Sequence, residues 1–182
     1  MSHKFNLFAT LFSFGAMSTA FASSSVSYPN PGTENAVWYK FIAKTTGPVS
    51  AYFVGSKAGF EENIRVVSNG QLLGATGLSN RYLKYGDSIT FGYVLAGDTV
   101  SIFLSIPEKN AGVWSQKTQI SPGFYLTPNG IYSTHYSGDA SGKIPAGVYV
   151  GFEDLAFQRQ AADWDYNDSE YVFTNVSMVV DK

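Results

Sequence analysis

The sequence predicts an all-β fold, a β-sandwich of jelly-roll type with about ten antiparallel strands. Three observations carry that expectation. Apolar and polar residues alternate at period two through most of the chain after Val37. Turn signals separate the alternating runs, among them two Asn-Gly pairs, whose residues tolerate the positive φ of a tight hairpin. The composition, with 18 Gly, 14 Phe, 12 Tyr and 3 Trp in 182 residues, favours strands and tight turns over helices.

Taken in order, residues 1–22 read as an export signal rather than as part of the fold. Lys4 supplies a positive start, Phe5 to Gly15 is almost wholly apolar, and Ala20-Phe21-Ala22 has the small-x-small form of a cleavage site. The apolar run is too short for a membrane span. Cleavage after Ala22 is expected, with a secreted or periplasmic product. Residues 23–36 are rich in Ser, Pro and Asn and read as a flexible leader, and 37–182 read as a single β-sandwich domain. "NIRVV" and "QLLG" flank Asn69-Gly70, and "FYLTP" and "IYSTHY" flank Asn129-Gly130. In "SITFGYVL" the residues Ile89, Phe91, Tyr93 and Leu95 are expected on one face. In "TVSIFLSI" it is Val100, Ile102, Leu104 and Ile106, with Ala96-Gly97-Asp98 joining the two runs as a hairpin. "GVYVGFEDL" and a long final strand "SEYVFTNVSMVV" complete the set. Only Lys57 to Glu62 and Leu155 to Ala162 have the composition of helical turns. No apolar anchor or sorting tail follows the last strand, so the expected product is soluble.

After the signal, eleven bases face fourteen acids, a net charge of −3. No basic run or stripe offers a footprint for nucleic acid. There is no cysteine, so any stapling of the fold comes from its core or from a metal.

Six of the fourteen acids fall within eighteen residues, Glu153 to Glu170, with Arg159 the one base among them. If the strand ending in Glu153-Asp154 neighbours the one that follows "DWDYND", then Glu153 and Asp154 lie beside Asp163, Asp165, Asn167 and Asp168. Alternating oxygen donors of this kind suit a hard cation that takes six to eight oxygens. His135 is the one imidazole after the signal, which disfavours zinc, copper and iron. Calcium is favoured over magnesium because the donors are nearly all protein oxygens. The spacing is not that of an EF-hand: Asp168 stands where that loop needs Gly, and Thr174 where it needs a bidentate Glu. Trp164 and Tyr166 alternate with the acids and are expected to pack away from the cation.

"GVYVGFEDL", followed by "DWDYNDSEYVFTNV", resembles the signature of the secreted bacterial family known as domain of unknown function 4114. The likeness is close over Gly147 to Val176 and looser before it. It implies an exported β domain whose acidic motif binds calcium. Carried over residue by residue, the ligands are Glu153, Asp154, Asp163, Asp165, Asn167 and Asp168. The chain departs from that family in having no sorting tail.

The expected function is that of a non-enzymatic calcium-binding protein with a structural, extracellular-matrix or adhesive role. Its partner would be an extracellular polysaccharide or a cell-surface component. A calcium-dependent carbohydrate-binding module is the alternative, and a small secreted hydrolase the second. For the last, Ser133, His135 and Asp139 are crowded on one strand and its loop, and Glu153 with Asp163 has the composition of a glycosidase pair.

Overall fold

The computed structural model describes residues 26–35, 37–74, 77, 79–115 and 130–181. The segment read as an export signal, the run "FYLTP" and Asn129 lie outside the described residues. Eleven strands are present among those described: β1 Trp38–Ala43, β2 Gly47–Gly55, β3 Asn63–Ser68, β4 Gln71–Leu72, β5 Ser88–Val94, β6 Thr99–Ile106, β7 Ala111–Trp114, β8 Ile131–Tyr136, β9 Gly147–Phe152, β10 Ser169–Thr174 and β11 Val176–Asp181. They form two antiparallel sheets. One has the order β11-β1-β6-β3-β4, with β7 also paired to β6, and the other the order β5-β2-β10-β9-β8. The first two strands pair with the last two, β1 with β11 and β2 with β10, in the nested manner of a jelly roll. The predicted fold class is what the chain adopts.

The inner faces of the sheets meet in one core. Phe41, Val49 and Ala51 supply it from β1 and β2, and Ile64, Val66, Ile102 and Leu104 from β3 and β6. Val150, Phe152, Tyr171 and Phe173 close it from β9 and β10. Alternation explains these positions, since every second residue of a strand points to the same face. Two smaller clusters cover parts of the outer faces. On one, the Trp114 ring stacks on Phe103 with centroids 3.8 Å apart. On the other, Val54, Tyr136, Ile144, Tyr149 and Val172 pack together.

Four local expectations differ from what is found, each for a physical reason. The face of β5 switches midway. Gly92 pairs with Val49 and Thr90 with the adjacent Ser50, so Phe91 is an extra residue in the ladder. This bulge keeps Phe91 and Val94 in the core and turns Tyr93 and Leu95 out to solvent. Ala96-Gly97-Asp98 is not a hairpin, because β5 and β6 belong to different sheets. It is a corner between them, closed by Leu95 N–H on the Asp98 carboxylate (2.8 Å) and by Ala43 N–H on the Asp98 carbonyl (2.9 Å). The long final strand is two strands. Asn175, with φ 61°, breaks it, and β11 crosses to the opposite sheet. Lys57 to Glu62 is irregular rather than helical, while Asp154–Gln158 forms a short 3-10 turn.

The described residues of the leader, 26–35, pack on the fold. Tyr28 is buried in the main core, and Asn35 donates through its side chain to the Ile131 carbonyl (2.9 Å) and the Tyr39 hydroxyl (3.1 Å). No helix among the described residues is long and apolar enough to cross a membrane.

Candidate metal centre

The strand β9 runs directly into Glu153, and β10 begins at Ser169, with Ser169 opposite Phe152 in the ladder. The loop 153–168 is therefore a connection between neighbouring strands, pinned at both ends. Asp168 N–H donates to the Phe152 carbonyl (3.2 Å), and Asp154 N–H donates to the Asp168 carboxylate (2.7 Å). The β2–β3 connection lies alongside, where Lys57 and Ala58 N–H groups donate to the carbonyls of Asn167 (3.0 Å) and Asp168 (3.2 Å).

Inside the loop, Trp164 and Tyr166 have φ of 54° and 59°. Bulky aromatic residues rarely take positive φ, and each such residue costs about 1–3 kcal/mol. Packing holds both in place. The Trp164 carbonyl accepts from Gly32 N–H (3.2 Å) and the Tyr166 hydroxyl from Asn35 N–H (2.6 Å), while the Tyr166 ring meets Tyr28 edge-on at 4.5 Å. Both rings are buried, as their alternation with the acids predicts. The two left-handed residues curl the segment around Glu153 instead of letting it continue as a strand.

The predicted acids converge, but in two groups. Glu153, Asp163 and Asp165 bring one carboxylate oxygen each within 4.8 Å of one another, and so do Glu153, Asp154 and Asp168. Glu153 belongs to both. Glu153 and Asp154 are buried, at 1% and 2% exposure, Asp165 and Asp168 are half-buried, and Asp163 is exposed. Asn167 holds the Asp165 carboxylate with its backbone N–H (3.1 Å) and its side-chain amide. Arg159, the base within the stretch, is paired instead with Glu34 at 2.8 Å. Glu170 turns to the other face of β10, where its carboxylate accepts from the Tyr149 hydroxyl (2.6 Å).

A further acid, Glu62, adjoins the second of these groups. It is fully buried, its Oε2 accepts from the Ser169 hydroxyl, and Asp154 and Asp168 are its charged neighbours. Its backbone is locked to Asn80 by a reciprocal pair of 3.0 Å hydrogen bonds, N–H to the Asn80 side chain and carbonyl from the Asn80 N–H. The sequence carried a signal for it: Ile64 and Val66 face the core, and the same period run backwards puts Glu62 on that face.

Electrostatics raise four of the acids in this centre. Burial, and then the Asp168 and Asp163 charges, push Glu153 up to about 9. Burial and then the Asp154 charge push Asp168 up to about 7. Burial also raises Asp154, and it lifts Glu62 well above the usual carboxylate range despite the Ser169 hydrogen bond. Two carboxylates 4.8 Å apart repel by about 3–4 kcal/mol at an effective dielectric near 20. The ionised centre therefore calls for a counter-charge, and a bound cation would supply it.

The donor set fits a hard cation. Every candidate ligand is an oxygen, while His135 sits exposed on β8. Glu62 Oε1, Glu153 Oε2 and Asp154 Oδ2 are buried without a hydrogen-bond partner among the described residues. Buried polar atoms are normally satisfied, and leaving one unsatisfied costs about 1–3 kcal/mol.

The hydrolytic constellations look different in three dimensions. Ser133 donates to the Tyr149 carbonyl (2.7 Å), and the Asp139 carboxylate accepts from the Tyr85 and Ser141 hydroxyls (2.6 Å each). Glu153 and Asp163 each bring one carboxylate oxygen within 4.8 Å of the other.

Compared with known proteins, the chain matches no family model, no curated protein and no solved structure. The likeness to the 4114 family rests on the motif residues alone. What fold and site define is an antiparallel β-sandwich with a buried acidic cluster that could hold a metal ion.

Proposed function

We propose that this chain is an exported, non-enzymatic calcium-binding β-sandwich with a structural, matrix or adhesive role. The observation that carries the reading is the convergence of Glu153 and Asp154, each with a buried carboxylate oxygen that has no hydrogen-bond partner among the described residues, on one all-oxygen cluster. The export reading rests on the apolar run ending in Ala20-Phe21-Ala22, and the motif likeness to a secreted family adds to both. Glu153, Asp154, Asp163, Asp165, Asn167 and Asp168 would hold calcium, which would screen their repulsion and fix the loop between β9 and β10.

Thermal melting in calcium and in chelator tests this. Calcium at a hundred times its dissociation constant adds about 2.7 kcal/mol to the native state. At about 2–4 °C per kcal/mol for a domain of this size, Tm rises by about 5–10 °C. Asp165→Ala reduces that rise. Asp98→Ala, at the corner between sheets, lowers Tm but keeps the rise. Coincident melting curves in calcium and chelator would refute the proposal.

A second reading, calcium-dependent carbohydrate binding, is favoured by one observation. A cavity of about 440 Å³ adjoins the cluster, lined by Asp165, Asn167, Glu170, Lys57 and Tyr28 among others. It offers an aromatic ring and several polar groups beside a half-exposed ligand. Glycan-array binding that disappears in chelator, while the protein stays folded, would establish it.

A further inference from the structure

We propose that the acidic centre holds two cations, an inner one bound by Glu62, Glu153, Asp154 and Asp168 and an outer one bound by Glu153, Asp163 and Asp165, with Glu153 bridging them. The inference rests on the calcium reading above and adds a second ion and a ligand, Glu62, that lies far from the acidic motif in sequence.

Geometry separates the two positions. A calcium ion holds oxygens at about 2.3–2.6 Å, so opposite ligands stand no more than about 5 Å apart. Glu153, Asp154 and Asp168 meet that span, at 4.8 Å or less, and so do Glu153, Asp163 and Asp165, but the two sets share Glu153 alone, and Glu62 adjoins the first through Asp154. One ion cannot collect all of these donors without rebuilding the loop.

Unpartnered oxygens mark the inner position. Glu62 is 0% exposed, Glu153 1% and Asp154 2%, and each has one oxygen without a hydrogen-bond partner among the described residues. Glu62 is aimed there by two constraints. Ser169 fixes its other oxygen, and the Asn80 side chain ties down the β2–β3 connection through Glu62 N–H, Ser56 and the Phe60 carbonyl. That leaves Oε1 beside Asp154.

Charge leads to the same count. Glu62, Glu153, Asp154, Asp163, Asp165 and Asp168 are six carboxylates, and Arg159 is committed to Glu34. One divalent ion leaves four negative charges in the cluster, and two leave a net of two shared with solvent at the exposed Asp163. The two positions also differ in character. Four carboxylates set among buried residues bind the inner ion tightly and release it slowly. The outer ion, at an exposed Asp163 and a half-buried Asp165, keeps water in its shell and exchanges fast.

Native mass spectrometry of the folded protein titrated with calcium chloride counts the ions. Two per chain, filled in sequence, are expected. Glu62→Gln should weaken the tighter step at least tenfold and leave the other, and Asp163→Ala should do the reverse. Circular dichroism in excess calcium confirms that each variant is folded. If Glu62→Gln does not fold, calcium-edge X-ray absorption on the unaltered protein decides: a calcium–calcium vector at about 3.5–4 Å is expected for a shared ligand. A single ion per chain would overturn the pair while leaving the calcium reading intact. No bound ion at millimolar calcium would overturn both. Two ions with unchanged affinities in Glu62→Gln would overturn the role of Glu62.

Discussion

Gly151 offers a way to move the acidic loop without touching an acid. A Cβ built on it would stand 2.4 Å from the Tyr166 carbonyl oxygen and 3.0 Å from the Tyr149 hydroxyl. Ordinary contact begins near 3.4 Å, so Gly151→Ala must displace the Tyr166 backbone by about 1 Å, and Tyr166 is already held at φ 59°. Gly147→Ala is the matched control, because its Cβ would meet the Phe173 carbonyl oxygen, also at 2.4 Å, at the other end of β9. Overpacking of this kind costs about 1–3 kcal/mol. Both variants should therefore melt about 2–12 °C lower. They should part company in calcium affinity. Metal sites tolerate only about 0.2 Å in ligand distance, so Gly151→Ala should bind calcium at least tenfold more weakly and Gly147→Ala should be unaffected. Differential scanning calorimetry and calorimetric calcium titration read the two effects separately. Unchanged affinity in Gly151→Ala, or an equal loss in Gly147→Ala, would refute the claim that the Gly151–Tyr166 approach positions the ligands.

Two other predictions follow from the same structure. In chelator, the folded values of Glu153 (about 9) and Asp168 (about 7) lie above their ordinary 4.5 and 3.8, so the stability these groups allow is present at low pH and lost as pH rises through 7 and 9. Tm of the metal-stripped protein should fall between pH 5 and 9 and that fall should flatten in calcium, whereas a chelated Tm that rises over this range contradicts the assigned burial. Asn175→Ala removes hydrogen bonds to the Thr45 N–H (3.0 Å), hydroxyl (2.7 Å) and carbonyl (3.0 Å) and leaves alanine at φ 61°. It should cost about 2–3 kcal/mol by denaturant melting, and a loss below about 0.5 kcal/mol would show that the corner is not held by this side chain.

The β9–β10 neighbourhood and the acidic cluster were legible because both depend on short-range signals: alternation fixes which face Val150 and Phe152 take, and the acids are adjacent in sequence. What could not be read depends on which strand pairs with which. Ala96-Gly97-Asp98 has the composition of a hairpin, and nothing local says that its two strands part to opposite sheets. The bulge at Phe91 hides inside an unbroken alternation, since only the partner β2 reveals the extra residue. Asn175 looks like one more polar position in a strand until its positive φ is known. Glu62 lies about ninety residues before the motif, and only the closing of the sandwich brings it to Asp154. Its period-two position on the buried face was the available clue.

The nested pairing of β1 with β11 and β2 with β10 sets an order of events for a chain made from its N-terminus. Two early strands wait, without these partners, until residues 169–181 have emerged, whether from a ribosome or from a translocation pore. Long-range pairing of this sort is slow, and it exposes strand edges meanwhile. The acidic loop arrives just before the final two strands, and Ser169, which fixes Glu62, is the first residue of the strand that completes its sheet. Divalent ions would thus find a finished coordination shell only once β10 is delivered. A compartment poor in such ions would leave it threadable, and one rich in them would act as a ratchet on arrival.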